Sequence, residues 1–397
     1  MSPKNWLPLI GITISVFIFN MSEFMPIGLL TDMSADLGVS ESQAGMIISI
    51  YAWAVAVLSL PIMLLLRKME YRRMLLMCVG LFAFFQIMTG ISNSYWMLVM
   101  SRLGVAVAHS IFWSIASPLA VRVVSPEHQK LAISMVAAGT SIAMIAGLPL
   151  GRIIGLAMGW RMSFMTIAAV AIFALIMLTI VFPKAENPGT FTLARLPGLL
   201  RIKVLMGIYV VIAIFVTGYF TGYSYIEPFL IQMSGLSESM TTVALTLFGL
   251  AGIVGSMVFT KFYDRVRYKF IILALVGVSI CLLLLNPLES SFVLIMAVCS
   301  AWGFFATSFN VSLQNEAIRA SPEDAMAIAM SIFSGIYNVG IAMGSIIGGA
   351  VTDSISVGVI GYVGAVFTIV ATVFTIIYLI HRMKENDELR RTRLDEI

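Results

Sequence analysis

Long apolar runs separated by short polar stretches cover almost the whole chain. Most runs approach the roughly 20 residues that an α-helix needs to cross a hydrocarbon core about 30 Å thick. The pattern therefore predicts an all-α membrane protein with twelve transmembrane helices, here called spans 1 to 12. The predicted spans cover residues 7–29, 44–66, 74–92, 95–117, 130–154, 162–182, 204–228, 241–262, 270–287, 291–315, 326–351 and 358–380.

Composition also favours a membrane protein and leaves little chain for a soluble domain. Hydrophobic residues make up 60% and charged residues 11% of the sequence, and the mean hydropathy is +0.99. The run that begins at Trp6 is too long for a signal peptide and carries no cleavage site. Cys78, Cys281 and Cys299 fall inside apolar runs, a scattered set that favours packing over a disulfide or a zinc site.

Basic residues collect on one side of the predicted membrane. If the N-terminus is cytoplasmic, 21 of the 24 Lys and Arg residues lie on the cytoplasmic side, where loops accumulate positive charge. The exceptions are Arg102, Arg152 and Arg161. This distribution predicts an even number of spans with both termini in the cytoplasm, and it is more informative than the formal net charge of +4.

A polar, proline-containing linker at residues 183–203 divides the chain into two halves. We expect an N-terminal six-helix bundle at 1–182, a C-terminal six-helix bundle at 204–380 and a cytoplasmic tail at 381–397. The tail alternates acidic and basic residues, which predicts a solvated helix or a disordered end without chemistry.

The two halves repeat each other at an offset of 196 to 197 residues. Residues 120–127 and 317–323 share an Ala-x-Arg pattern that leads into Ser-Pro-Glu. Parallel repeats are typical of transporters whose substrate path lies between the halves near the midplane. Glycines at every fourth residue of spans 5 and 11 let helices approach closely, either as a static contact or as a surface that slides during transport. These glycines are Gly147, Gly151, Gly155, Gly340, Gly344 and Gly348.

Ionisable residues are rare inside the predicted spans, where a charge is costly unless it faces a cavity or a partner. Glu23 lies about two-thirds of the way through span 1, with Asn20 one turn away on the same face. Arg102, His109 and Trp113 share one face of span 4, and Arg102 lies at nearly the same depth as Glu23. A pair between Glu23 and Arg102 is therefore geometrically possible.

The chemistry of Glu23 and His109 is left open by the sequence. Burial favours the protonated form of a carboxyl group, and a nearby guanidinium favours the carboxylate. Glu23 is therefore expected either to load and release protons near neutral pH or to form a permanent structural pair with Arg102. For His109, a proton relay, a hydrogen bond to substrate and a buried structural role are the alternatives.

Aromatic and amide side chains supply the polar groups of the second half. Tyr219, Tyr223 and Glu227 line one face of span 7, and Asn338 lies near the middle of span 11. Together with Trp113 of span 4, this mixture is expected of a site for a neutral polar or amphipathic ligand. Glu227 lies close to the outer end of its span, where a solvated carboxylate is the alternative to a functional one.

Two motifs carry a family resemblance. Residues 102–106 read Arg-Leu-Gly-Val-Ala, and residues 139–152 include Gly147, Pro149 and Gly151. The first resembles the Arg motif of span 4, and the second the span 5 antiporter motif, of the twelve-span drug:proton antiporter branch of the major facilitator superfamily. The resemblance covers essentially the whole chain. It implies the major facilitator fold, proton coupling through the Arg motif and a bend in span 5 that is characteristic of exporters.

The loop signature of the same family is present in two unequal copies. The loop between spans 2 and 3 retains Arg72 but lacks the acidic residue at the expected place, whereas the loop between spans 8 and 9 carries Asp264 and Arg265. The resemblance implies that these three residues, together with the antiporter motif of span 5, take part in conformational gating.

A closer match is found at residues 19–30, 50–53, 108–114, 223–229 and 360–365, which resemble the sugar efflux transporters of bacteria. The resemblance implies proton-coupled efflux (antiport) of small sugars such as arabinose and glycosides across the inner membrane by alternating access. Proton coupling is then assigned to Glu23, Arg102 and His109. Substrate contacts are assigned to Asn20, Glu23, His109, Trp113, Tyr219, Tyr223 and Asn338.

Two other functions compete with sugar efflux. A multidrug:proton antiporter of the same fold is the alternative, because the aromatic and methionine content also suits lipophilic ligands. An enzyme is not expected, since the sequence contains no GxSxG, HExxH or phosphate-loop motif. We expect a monomer whose partners are a small molecule, protons and the lipid bilayer, with no nucleic acid, no metal and no cofactor beyond the proton gradient.

Overall fold

A computed structural model of the chain describes residues 3–66, 69–125, 128–185, 196–321 and 326–395. The middle of the predicted linker and the Pro-Glu ends of both repeat segments lie outside the described residues, as do the last two residues of the predicted tail.

Every regular element of the described residues is helical. In the first half, helices α1 to α7 cover Pro3–Phe24, Leu30–Leu37, Glu41–Leu66, Tyr71–Gly90, Tyr95–Arg122, Gln129–Met158 and Trp160–Val181. In the second half, α8 to α15 cover Leu196–Leu199, Lys203–Tyr223, Ile226–Gln232, Glu238–Leu284, Phe292–Ala320, Met326–Ser354, Ile360–Phe374 and Ile380–Asp395.

The predicted membrane fold is confirmed. Eleven helical stretches of the described residues are long and apolar enough to cross a bilayer. The predicted fifth span falls within α6, whose side chains the structure describes only in part. Gly159 has φ +86° and makes the turn from α6 to α7, a backbone conformation that side chains other than glycine rarely adopt.

The first span of each half is broken. After α1, a 3-10 turn at Met25–Leu29 contains Pro26, which has no backbone N–H to donate to a regular helix. The helix then resumes as α2, so the apolar stretch runs over Trp6–Leu37 and extends beyond the predicted end at residue 29. Glu23 consequently lies next to the break and near the middle of the stretch, not two-thirds of the way along. In the second half, the corresponding interruption separates α9 from α10.

The C-terminal tail forms the helix α15, one of the two predicted alternatives, and this helix has a polar docking contact that the charge pattern did not predict. Asp387 accepts hydrogen bonds from Arg267 Nη1 at 2.5 Å and from Tyr268 Oη at 2.6 Å. Arg267 follows Val266, whose non-helical backbone (φ −132°, ψ 28°) divides α11 into two arms. The same guanidinium pairs with Glu316, which is 1% exposed near the C-terminal end of α12. The tail is therefore held through Arg267 against the buried carboxylate of Glu316.

The chain divides into two compact units. Unit 1 comprises Met1–Phe191, Ile226–Ile231 and Leu236–Thr246, and the rest of the chain forms unit 2. In unit 1, α1 packs on α6 and α7, α4 packs on α5 and α7, and α3 packs on α5. In unit 2, α9 packs mainly on α13 and α14.

The glycine faces lie at close helix contacts, as their spacing predicts. In unit 1 the face of α6 lies against α1 and the 3-10 turn, and in unit 2 the face of α13 lies against α9. A Cβ at Gly147 would lie 3.2 Å from Met21 Cα, and a Cβ at Gly344 would lie 2.5 Å from the carbonyl oxygen of Thr217. Neither position has room for a larger side chain without a backbone shift.

The three cysteines are free and buried inside helices. Cys78, Cys281 and Cys299 are 0%, 4% and 1% exposed. Their sulfur atoms pack within the apolar core, in agreement with the structural role expected from their positions in apolar runs.

Candidate functional site

Glu23 and His109 form the centre of a buried polar cluster in unit 1. Glu23 is the penultimate residue of α1, and its Oε2 lies 3.6 Å from Nε2 of His109 on α5. The side chain of Glu23 is 11% exposed and that of His109 is 3% exposed. The carboxyl group therefore points towards α5 and the interior of the unit.

Tyr51 of α3 is the second partner of His109. Its hydroxyl lies 2.7 Å from Nδ1, and the two rings meet edge to face with their centroids 5.5 Å apart. Both imidazole nitrogens of His109 thus face a polar group, Tyr51 on one side and Glu23 on the other. This places His109 where it can orient, or exchange a proton with, the carboxyl group.

Arg102 is buried in the same cluster but makes no ion pair with Glu23 among the described residues. It donates from Nη1 to the hydroxyl of Ser22 and from Nη2 to the carbonyl of Ser22, both at 2.9 Å. Its guanidinium also lies over the ring of Tyr51, 4.5 Å from the centroid. The permanent Glu23–Arg102 pair considered from the sequence is therefore wrong, because Ser22 and the Tyr51 ring take the guanidinium one residue away from the carboxylate.

An amide and an aromatic side chain lie beside the cluster of Glu23 and His109. Asn20 donates to the carbonyl of Val16 at 2.9 Å and lies 3.5 Å from the hydroxyl of Thr140 on α6. Trp113 is half-buried, with its ring centroid 6.0 Å from that of His109. The predicted residues Asn20, Glu23, His109 and Trp113 therefore lie on α1 and α5 of one unit, with His109 in contact with both Glu23 and the Trp113 ring.

Unit 2 contains an aromatic cluster around the predicted residues Tyr219 and Tyr223. These two rings stack with centroids 5.0 Å apart, and both lie edge-on to Trp302 of α12 at 5.7 and 6.0 Å. Phe248 of α11 stacks on Tyr223 at 5.1 Å. The indole Nε1 of Trp302 is buried without a hydrogen-bond partner in the structure, so the cluster holds an unused donor.

Asn338 of α13 also lies in unit 2. Its amide nitrogen donates to the carbonyl of Ser334 at 3.0 Å, while its Oδ1 is buried without a hydrogen-bond partner in the structure. A buried acceptor of this kind costs free energy unless a ligand or water satisfies it.

Glu227 is not a solvated helix-end carboxylate. It is completely buried and accepts a 2.6 Å hydrogen bond from Arg152 Nη1, and its other oxygen accepts from the backbone N–H and the hydroxyl of Thr31 at 3.2 and 2.8 Å. Arg152 Nη1 also donates to the carbonyl of Gly28 at 2.8 Å. Glu227, Arg152 and Thr31 all belong to unit 1, where they form a second buried charged cluster.

The residues expected to take part in gating differ in how far they are exposed and in what they contact. Arg72 donates to the carbonyl of Thr179 at 2.8 Å, and Asp264 is 89% exposed and lies 3.6 Å from Arg319. Arg265 is exposed, and Gly147, Pro149 and Gly151 are buried in α6.

Sequence spacing missed several members of the cluster around Glu23. Tyr51 and Ser22 lie within or beside the motifs described above. Residue spacing along one helix, however, does not predict which other helix packs against it, so the contact of Tyr51 on α3 with Nδ1 of His109 on α5 could not be derived. Gln86 of α4 was missed for the same reason, and it donates to the hydroxyl of Ser22 from a fully buried position. The polar character of Tyr51, Ser22 and Gln86 was the one sequence feature that could have identified them, since polar side chains inside apolar runs must find partners.

Comparison with known proteins agrees with this architecture. The family model described as Major Facilitator Superfamily matches residues 12–315 and 208–394. The fold is similar to the crystal structure of a bacterial homologue of the human lysosomal transporter Spinster, in an inward-facing and unoccupied conformation. The TM-score is 0.66 with 14% sequence identity, and the match covers 96% of each chain. At this identity the likeness concerns the fold alone.

Proposed function

Because the chain belongs to the Major Facilitator Superfamily, we propose that it exports small sugars or sugar-like molecules, such as arabinose and glycosides, in exchange for inward-moving protons. It works as a monomer in the bacterial inner membrane, with both termini in the cytoplasm. The segments 1–182 and 204–380 act as the two moving halves of an alternating-access cycle.

One observation carries the proposal: a carboxyl group in the membrane interior faces a histidine and has no ion-pair arginine among the described residues. Glu23 lies 3.6 Å from His109, while Arg102 is held on Ser22. A carboxylate locked to arginine would stay charged, whereas Glu23 keeps a protonated form within reach. Coupled transport needs a group that changes charge during the cycle.

The coupling scheme follows from the two charge states of Glu23. Ionised Glu23 favours the access state that binds substrate, and protonation from the outside favours release and return. A proton shifts such an equilibrium only through its different affinity for the two states. Arg102 and His109 set that affinity, because His109 faces the carboxyl group and Arg102 is bonded to Ser22, the residue next to it.

Substrate contact is assigned to residues of both units. Asn20, Glu23 and His109 in unit 1 offer hydrogen bonds to hydroxyl groups, and Trp113 offers an apolar ring face. In unit 2 the corresponding groups are Tyr219, Tyr223 and Asn338. The buried Oδ1 of Asn338, which has no partner in the structure, supports a ligand with hydrogen-bond donors.

Replacing Glu23 tests the proposal directly. The purified Glu23→Gln protein should fold but lose sugar efflux driven by a pH gradient in proteoliposomes. The matched control is Asp353→Asn, which removes an exposed carboxyl group at the end of α13 and should transport normally. Undiminished gradient-driven efflux by Glu23→Gln would refute the role of Glu23.

Multidrug export is the second candidate, and the aromatic cluster of unit 2 favours it. Tyr219, Tyr223, Phe248 and Trp302 together offer ring faces that attract lipophilic cations. Parallel efflux assays with arabinose and with a lipophilic cation such as ethidium separate the two candidates. Proton-driven efflux of the cation without efflux of the sugar would replace the first proposal by the second.

Gating is assigned to Gly147, Pro149 and Gly151 in α6 and to the loop residues Arg72, Asp264 and Arg265. The tight contact of the glycine face with α1 supports a hinge or sliding surface there, because small residues let one helix move past another.

A further inference from the structure

Tyr51 of α3 joins the two basic side chains around Glu23. Its hydroxyl lies 2.7 Å from Nδ1 of His109, and its ring centroid lies 4.5 Å from the guanidinium carbon of Arg102. Tyr51 is 1% exposed and His109 is 2% exposed. A tyrosine hydroxyl this deeply buried needs a hydrogen-bond partner, and Nδ1 of His109 is the one that the structure provides.

The direction of the Tyr51–His109 hydrogen bond decides what His109 presents to Glu23. A neutral imidazole carries one N–H, so a hydroxyl that donates to Nδ1 leaves the hydrogen on Nε2. Nε2 lies 3.6 Å from Glu23 Oε2, where an N–H is attracted to a carboxylate. The opposite tautomer would set the Nε2 lone pair against the carboxylate, which is repulsive. An ionised Glu23 therefore favours Tyr51 as the donor.

The ring of Tyr51 has a separate effect on Arg102. Arg102 is bonded twice to Ser22, the residue next to Glu23, and its guanidinium lies over the ring. A desolvated guanidinium is attracted to an aromatic face. The ring therefore helps to keep Arg102 one residue away from the carboxylate.

We propose that Tyr51 is a positioning residue for proton exchange at Glu23. The hydroxyl holds His109 as the Nε2–H tautomer, which directs a donor at the carboxylate, and the ring holds Arg102 on Ser22. The inference rests on the proposed function, since it takes Glu23 as the group that exchanges protons.

The groups that set the pH response of Glu23 come from two helices. The titratable or charged side chains around it among the described residues are Tyr51 of α3 and Arg102 and His109 of α5. The other helices of the cluster present uncharged side chains, namely Gln86 of α4, Thr140 of α6 and Phe164 of α7. A change at Tyr51 therefore acts on Glu23 through His109 and Arg102.

Two substitutions separate the hydroxyl from the ring. Tyr51→Phe removes the donor to Nδ1 but keeps the aromatic face under Arg102. The ionised form of Glu23 then loses its oriented N–H, so the pH midpoint of coupled efflux should move up by about one unit. Tyr51→Leu removes the ring as well and releases Arg102 towards Glu23, which favours the carboxylate. Its midpoint should lie below that of Tyr51→Phe.

The measurement is the pH profile of sugar efflux by the full-length protein in proteoliposomes, normalised to the maximal rate. Tyr209→Phe is the matched control, because it removes a buried hydroxyl that donates to the carbonyl of Ala329 in unit 2. Its profile should match that of the wild type. A Tyr51→Phe profile that superimposes on the wild-type profile would overturn the inference, whatever the change in maximal rate.

A spectroscopic readout keeps the inference testable if the variants transport poorly. The chain has three histidines, so ¹⁵N-histidine labelling gives few signals, and His109→Gln identifies the signal of His109. Above the pH midpoint, the wild type should show the Nε2–H tautomer and Tyr51→Phe a mixture of both. The Nδ1–H tautomer in the wild type would overturn the inference.

The Glu23→Gln profile distinguishes failure of this inference from failure of the proposed function. If Glu23→Gln keeps the pH dependence of the wild type, the proposed function fails and the inference falls with it. If Glu23→Gln loses that dependence while Tyr51→Phe superimposes on the wild type, only the inference about Tyr51 fails.

Discussion

Arg152 and Glu227 are fully buried oppositely charged side chains, 1% and 0% exposed, whose contact joins α6 to α10. Taking two charges out of water is expensive, and close hydrogen bonds offset the cost. Thr31 and the carbonyl of Gly28 supply those additional bonds. Removal of either partner leaves the other charged group buried and unpaired.

We therefore expect Glu227→Gln to destabilise the protein by about 3 kcal/mol. Arg152→Met should have a similar effect, and the double variant should be more stable than the sum of the two losses predicts. The measurement is the free energy of unfolding in detergent for all four proteins. Additive losses would show that the two side chains do not stabilise each other.

The residues of the site were only partly predictable from the sequence. Glu23, Arg102 and His109 stand out because a charged or imidazole group inside an apolar run is costly and rare. Their partners do not, since the 2.7 Å contact of Tyr51 with His109 depends on how α3 packs on α5. Whether Arg102 pairs with Glu23 was left open, because equal depth in the membrane does not decide which way a long side chain turns.

At the scale of the helix, α13 depends on closely packed glycines. A Cβ at Gly344 would meet the carbonyl oxygen of Thr217 and the backbone nitrogen of Thr221 on α9, at 2.5 and 2.9 Å. Backbone atoms cannot move aside as a flexible side chain can. Gly335 on the same helix has no atom within 4 Å of its Cβ position.

Gly344→Ala should therefore destabilise unit 2 by about 1 to 3 kcal/mol, the range for overpacking. Gly335→Ala is the matched control, and it should be neutral or stabilising by up to about 1 kcal/mol because alanine favours the helix. Melting temperatures of the two variants in the same detergent test the prediction. Equal melting temperatures would mean that α13 can move away from α9 without cost.

The docking of α15 gives a second prediction for an element. Asp387→Asn removes a charge-assisted contact with Arg267 and weakens that with Tyr268, whereas the ion pair of Arg267 with Glu316 remains. We expect faster amide hydrogen exchange along α15 with little change elsewhere. Glu385→Gln is the control, because its ion pairs among the described residues are with His381 and Arg382 of the same helix. Exchange that is equally fast in both variants would contradict a specific role for Asp387.

Helices were easier to predict than their interruptions. Apolar length and charged loops define the spans, so the twelve-span pattern could be derived without a structure. The 3-10 turn after Phe24 lies inside a continuous apolar run, whereas the kink at Val266 lies in the charged stretch predicted as the loop between spans 8 and 9. Pro26 marks the first of these, whereas nothing in the sequence around Val266 distinguishes a kink from a loop. Likewise, the alternating charges of the tail do not reveal that Asp387 has a fixed partner.

Over the whole molecule, the duplicated halves differ in their chemistry. At an offset of 196 residues, the members of the polar cluster of unit 1 correspond to uncharged residues of the second half. Glu23, Tyr51, Arg102 and His109 correspond to Tyr219, Leu247, Val298 and Phe305. This difference supports the proposal that proton exchange takes place in the first half and that the aromatic surroundings of Tyr219 contact the ligand.

This division predicts different effects for Tyr219 and Glu23. Tyr219→Phe should raise the KM for sugar roughly five-fold, the effect of losing one hydrogen bond of about 1 kcal/mol. Its pH midpoint should match that of the wild type, because the ring of Tyr219 packs on Tyr223 and Trp302 within unit 2 and the proposed proton exchange lies at Glu23 in unit 1. The measurement is efflux at varied sugar concentration and pH. A shifted midpoint with an unchanged KM would place Tyr219 in proton exchange instead.

The burial of Cys78, Cys281 and Cys299 has a practical consequence for experiments that follow the proposed transport cycle. Reagents that modify thiols from water need access to sulfur, and all three sulfur atoms are enclosed by packed helices. The natural chain should therefore give a low labelling background without any cysteine being removed. Single cysteines introduced at exposed positions can then carry fluorophores or spin labels, and distances between them would report each step of the transport cycle.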